Sequence, residues 1–128
     1  MMNQSDKQMR AALQAYVDAL NAKDLAGVVD LYAEDATLED PVGGPVLQGR
    51  AAIEAFYGRV VPLGLEVRMV AEPRGSHGNA AAMAFEVVAP TAEGGRARIK
   101  VIDVFTFDAA GKFTSMKAYW GPEDVGLA

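Results

Sequence analysis

The hydrophobic period of this 128-residue chain changes near Pro62, and that change limits the architectures open to it. Ahead of it, apolar residues recur every three or four positions; behind it, they recur every second position, so helices come first and strands follow. Ser5 and Gln8 form a capping box, after which Met9, Ala12, Leu13, Tyr16, Val17 and Leu20 mark one amphipathic helix. Asp24 can cap a second, striped by Leu25, Val28, Val29 and Tyr32. Ile53, Phe56, Tyr57 and Val60 mark a third after the turn-rich PVGGPVLQGR. The segments LEVRMVA, AAAMAFEVVA, RARIKVIDVFTFD and KFTSMKAYW then alternate as strands. PRGSHGN, the Gly94–Gly95 hairpin and the Asp108–Gly111 turn separate them into an antiparallel meander. A short earlier strand, ATLED, precedes Pro41 and is expected on a sheet edge, because proline cannot donate into a ladder. The expectation is one α+β domain over residues 1–128, with three N-terminal helices on a curved, mainly antiparallel sheet and a pocket between them.

Composition removes several classes of function. A net charge of −5 without a basic run argues against nucleic-acid or anionic-membrane partners, which favour basic patches. No cysteine is present, which excludes disulfides and thiolate chemistry. The segment MMNQSDKQMR lacks the apolar core of a signal peptide and no apolar run approaches membrane-spanning length, so a cytoplasmic location is expected. The single histidine, His77, falls in a Gly/Ser-rich turn, where a solvated residue is the simpler reading than a metal ligand. Neither a metal nor another cofactor is expected.

Within RARIKVIDVFTFD, alternation places Asp103 in the row of Ala97, Ile99, Val101, Phe105 and Phe107, while Arg96, Arg98 and Lys100 take the opposite parity. A carboxyl in an apolar wall, away from cations, takes up a proton and becomes a hydrogen-bond donor. Such a donor suits a carbonyl, and an enolate oxygen better still. Asp40 repeats the pattern, closing ATLED on the side of Ala36 and Leu38. Asp before Pro is often only a turn residue. Two inward acids can instead divide the work of base and acid, and Asp40, at a strand end near the mouth, is the better base. Tyr16, Tyr32 and Tyr57 each fall on a helical apolar stripe, so their hydroxyls can form a network that polarises one of them, for which Tyr16 on the long first helix is the choice.

Four segments carry a family resemblance in order along nearly the whole chain. YAEDATLEDP (residues 32–41) resembles YADDATVEDP, and QGRAAIEAFY (48–57) resembles a helical HGRE-x-I-x-x-FY; VIDVFTFD (101–108) and MKAYW (116–120) resemble VIDV-x-x-FD and M-x-AYW. These are texts of bacterial steroid Δ-isomerases (ketosteroid isomerases) of the cone-shaped NTF2-like, SnoaL-like superfamily. The resemblance implies conversion of Δ5- to Δ4-3-ketosteroids without a cofactor, and a homodimer. It implies Asp40 as base, Tyr16 and protonated Asp103 as oxyanion hole, and Tyr57 and Tyr32 behind Tyr16. It also implies steroid-binding walls from Phe56, Met83, Phe85, Ile99, Val101, Met116 and Trp120.

The chain departs from the family text at residues 60–65, which are less glycine-rich, and in PRGSHGN, which is one residue shorter; both bear on substrate preference. An epoxide hydrolase would need an arginine between two pocket acids, and a scytalone-type dehydratase would need pocket histidines; the inward faces offer neither. A SnoaL-like cyclase, which also uses an inward acid, is the rival enzyme. A non-catalytic carrier of hydrophobic small molecules is the rival from another class.

Overall fold

The computed structural model describes residues 4–128; the first three residues of the segment read for a leader lie outside the described residues. Helix α1 (Asp6–Asn21) opens at the expected capping box, with the Ser5 hydroxyl accepting from the Gln8 amide and the Gln8 side chain accepting from the Ser5 amide. Its stripe of Met9, Leu13, Tyr16, Val17 and Leu20 is buried. Asp24 caps the short α2 (Leu25–Val29) by accepting from the Gly27 amide. Strands β1 (Tyr32–Glu39) and β2 (Val46–Gln48) follow, then α3 (Arg50–Val60), β3 (Glu66–Met69), β4 (Ala80–Pro90), β5 (Arg96–Phe107), β6 (Phe113–Tyr119) and β7 (Val125–Leu127). Among the described residues no helix is long and apolar enough to cross a membrane.

The helices pack on one face of a curved, open seven-stranded sheet of order β2-β1-β6-β5-β4-β3, with β7 also paired to β5. All pairings are antiparallel except β1 with β6. The long β5 is the spine: its outer half pairs with β7 through residues 97–99 and its inner half with β6 through residues 102–107.

Three expectations are corrected. Tyr32 is not on the α2 stripe; α2 ends at Val29 and Tyr32 opens β1, opposite Phe113 of β6. The Phe113 amide donates to the Leu31 carbonyl at 2.8 Å, and this sheet bond draws the chain straight where helical spacing alone would continue the turn. β1 is not an edge either, because VLQ, inside the stretch read as turn, folds back as β2 and covers it. Pro41 is tolerated because the strand has already ended at Glu39. β7, three exposed residues with no period to read, was not expected.

An aromatic cluster joins helices to sheet. Phe113 is fully buried, with ring centroids 4.3 Å from Phe105, 5.1 Å from Tyr32, 5.3 Å from Phe107 and 6.1 Å from Tyr16. Removing that ring leaves a cavity that several elements cannot collapse into together. Phe113→Ala is therefore expected to lower unfolding stability by ~3–5 kcal/mol in urea titration; a loss below ~1 kcal/mol would contradict the role given to this ring.

Candidate active site

Asp103 lies on the inner face of β5, between Met83 of β4 and Ala118 of β6, and is 1% exposed. Its Oδ1 has no hydrogen-bond partner. The cations of its own strand face outward, where Arg96 pairs with Glu66 at 3.5 Å and Arg98 with Glu86 at 3.3 Å. Burial, and secondarily the charge of Asp40, hold the Asp103 carboxyl well above the ordinary range of a carboxylic acid. That shift favours the neutral acid, which has a proton to offer.

Asp40 follows the last residue of β1. Because β1 and β6 run parallel, with Glu39 opposite Lys117, both chains leave the sheet at the same end, and the Trp120 indole Nε1–H donates to Asp40 Oδ1 at 2.9 Å. Partial burial raises the Asp40 carboxyl above its usual value, and the indole bond opposes that rise by favouring the ionised form. The two acids thus sit in different surroundings, one fully buried and unpartnered, the other partly buried and hydrogen-bonded.

The three tyrosines form a chain: Tyr16 Oη lies 2.7 Å from Tyr57 Oη, which lies 2.7 Å from Tyr32 Oη. Burial is the leading cause that raises all three phenols well above their usual values, so each keeps its proton. Tyr32 donating to Tyr57, and Tyr57 to Tyr16, leaves the Tyr16 proton free; the reverse order strands the Tyr32 proton with no acceptor. Either order leaves one proton without a phenol acceptor; in the first it is that of Tyr16, which borders the cavity, where a ligand oxygen can accept it.

Tyr16, Tyr57, Asp40 and Asp103 border one cavity of about 180 Å³. Of the residues read as substrate-binding, Phe56, Phe85, Ile99, Val101 and Trp120 line it. Met83 and Met116 do not; they are buried in the core beside it, Met83 opposite Asp103 and Met116 opposite Phe105. Tyr32 is not on the wall but behind Tyr57. The reading missed Leu20, Val60, Leu65, Val67, Val87 and Ala89, although Val87 and Ala89 share the parity of Phe85 and were legible from it. His77 is exposed in its turn, and among the described residues no three of His, Asp and Glu lie close enough to hold a metal ion. The polar equipment is a partly buried carboxyl with a hydrogen bond that favours its ionised form, and two groups whose burial favours keeping a proton, in an apolar enclosure, an arrangement suited to taking a proton from carbon while charge grows on a nearby oxygen.

The model of the SnoaL-like domain matches residues 13–116. A steroid Delta-isomerase of Nocardioides simplex is 42% identical over 120 residues, covering 92% of this chain and 94% of that protein. The epoxide hydrolase LasB of Streptomyces lasalocidi is 31% identical over 115 residues, covering 85% of this chain and 40% of that longer protein. Among solved structures, SalBIII, an epoxide hydrolase/cyclase-like enzyme of pyran ring formation in the polyether salinomycin, superposes with a TM-score of 0.85 at 29% identity, covering 95% of this chain and 97% of that one.

The dry carboxyl has a signature in stability. Unfolded, Asp103 loses its proton through the ordinary carboxylate range; folded, burial makes it hold the proton to higher pH, so its contribution to stability falls as pH rises from the ordinary range toward the raised folded value. Asp103→Asn keeps a neutral donor and removes the titration. Its stability relative to the parent should rise from pH 4 to pH 8 in urea unfolding, and a difference independent of pH would contradict the neutral assignment.

Proposed function

The chain belongs to the SnoaL-like (NTF2-like) family, and on that footing we propose that it is a steroid Δ-isomerase, converting Δ5-3-ketosteroids to their Δ4 isomers. The observation that carries the reading is the Asp103 carboxyl, buried without a partner, sharing one apolar cavity with Asp40 and the free end of the tyrosine chain. The 42% identity with the Nocardioides isomerase supports it.

In this mechanism the Asp40 carboxylate removes a proton from carbon 4, between the 3-carbonyl and the 5,6 double bond. Charge moves onto the 3-oxygen, where the Tyr16 hydroxyl and the protonated Asp103 carboxyl donate to it. The proton then returns from Asp40 to carbon 6, leaving the double bond in conjugation. Tyr57 and Tyr32 keep the Tyr16 proton pointed at the oxygen, and Phe56, Phe85, Ile99, Val101 and Trp120 hold the rings. Every atom is conserved between substrate and product, so no cofactor is required. The same reading carries a homodimer. Val70, Ile102 and Tyr119, exposed together on the outer face of the sheet, support that assembly, and sedimentation at a monomer's mass would oppose it.

A second reading is an acid–base cyclase. The likeness to LasB and SalBIII favours it, since in a ring closure, unlike hydrolysis, a carboxylate can take the proton of an attacking hydroxyl while a neutral acid donates to the oxygen that leaves. One assay separates these readings: purified protein with 5-androstene-3,17-dione, following the conjugated enone by absorbance. Fast conversion is expected, with Asp40→Asn losing ~10²–10⁴-fold, the usual worth of a general base. No conversion by the parent would move the reading to a cyclase or, if an enone still binds, to a carrier. Asp103→Ala should lose ~10²–10³-fold in kcat, the size of one oxyanion donor; unchanged turnover would remove its role.

The pH profile supplies a further check. Activity is present while Asp40 is ionised and lost as pH falls through its pKa, which burial raises. Trp120→Phe deletes the bond that favours the ionised form, so the acid limb of kcat/KM should move to higher pH. A shift to lower pH would contradict the assignment.

A further inference from the structure

β7 supplies an observation that the isomerase reading does not use. In an antiparallel pair, residues directly opposite project from the same face. On the inner face of the sheet, β4 and β5 therefore form successive rows outward from Asp103: Asp103 with Met83, Val101 with Phe85, Ile99 with Val87, and Ala97 with Ala89, the cavity wall ending at Ile99, Val87 and Ala89. β7 extends the last two, placing Val125 beside Ile99 and Leu127 beside Ala97.

The fourth row is built unlike the others. Its floor is two half-buried alanines, and Leu127 beside them is 90% exposed, the most exposed large apolar side chain among the described residues. This is not a frayed end. β7 is paired through three residues, the Ala128 amide donates to the Arg96 carbonyl at 3.1 Å, and the turn that delivers the strand from Trp120 is tied by the Gly121 amide donating to Asp124 Oδ2 at 2.8 Å. An anchored strand holds a leucine in water one row beyond Ile99 and Val87 of the cavity wall.

Length decides what can reach it. A ketone oxygen bound at Asp103 puts four fused rings along roughly 13 Å of β5, the rise of four strand residues, which ends near Ile99, whereas Ala97 lies roughly 20 Å from Asp103. The ring system stops one row short.

The geometry points to a fourth-row subsite, formed by Ala89, Ala97 and Leu127 with Val125 of the third row beside it, that takes an aliphatic side chain at the end of the ligand remote from the ketone, making 17-alkyl 3-ketosteroids the preferred substrates over 17-oxo ones. This rests on the steroid reading above, but binding tests it without turnover.

The chain's single tryptophan, on the cavity wall, reports occupancy by fluorescence. We expect 4-cholesten-3-one to bind at least about tenfold more tightly than 4-androstene-3,17-dione, the size expected when a few methylene groups leave water. Leu127→Ser, at a position whose side chain supports no packing, should reduce that ratio about fivefold, chiefly through the longer ligand. Ala97→Phe, which fills the row, should abolish the preference. Equal affinities in the parent, or equal losses for both ligands in the variants, would overturn the subsite. An unchanged ratio with an altered sedimentation coefficient in Leu127→Ser would overturn it too, assigning the leucine to a contact between copies. Preference without isomerisation of the matching Δ5 ketones would leave the subsite standing and remove the chemistry; isomerisation without preference would do the reverse.

Discussion

A carboxyl buried with no partner is costly to any fold, and the arrangement around Asp103 follows from how that cost is met. The group can stay only if it is neutral, and it is neutral only if cations are kept away. β5 meets that condition by alternation, sending Arg96, Arg98 and Lys100 to the outer face, where Glu66 and Glu86 receive two of them. The inner neighbours are correspondingly apolar, with Met83 opposite on one side and Ala118 on the other. The aromatic cluster about Phe113 supplies compensating burial close by and seats the tyrosine ring that carries a second donor into the cavity.

The two acids show how little separates a proton acceptor from a proton donor. Asp103 sits mid-strand, closed on both sides by neighbouring strands. Asp40 sits just beyond a strand end, only partly buried, with the Trp120 indole donating to it. Burial raises both carboxyls, but only Asp40 has a donor that favours its charged form. The parallel pairing of β1 with β6, the one parallel pairing among the described residues, brings that donor into place.

Features that recur along the chain were legible in the sequence, and features that depend on distant pairing were not. The period change located the helices and the four later strands, and parity alone put Asp103 inside and its cations outside. Tyr32 was placed on a helix because Leu25, Val28 and Val29 lead up to it at helical spacing; the bond from Phe113 that straightens the chain comes from a strand eighty residues away. β2 and β7 were invisible for a related reason: three residues carry no readable period, and each exists only because a longer strand offers an edge. Methionines read as cavity wall lie instead beneath it, since parity tells which face a side chain takes but not how far along that face the cavity extends.

That last distinction bears on how the site divides its tasks. Rows along β4 and β5 measure depth, so the residues at the floor and those at the mouth meet different parts of one ligand. At the floor, polar groups are few and each acts on a charge that appears during reaction, so a change there alters rate. At the mouth, the walls are apolar and touch atoms that do not react; a change there alters which ligand is held. Floor and mouth are joined by a rigid paired strand, and the distance between them follows from the number of residues, not from a flexible loop. A ligand too short for the rows leaves the outer ones wet, and one that fills them gains burial without disturbing the carboxyl at the far end. Selectivity in such a site can therefore change through a three-residue strand while the chemistry at Asp103 and Asp40 stays as it is.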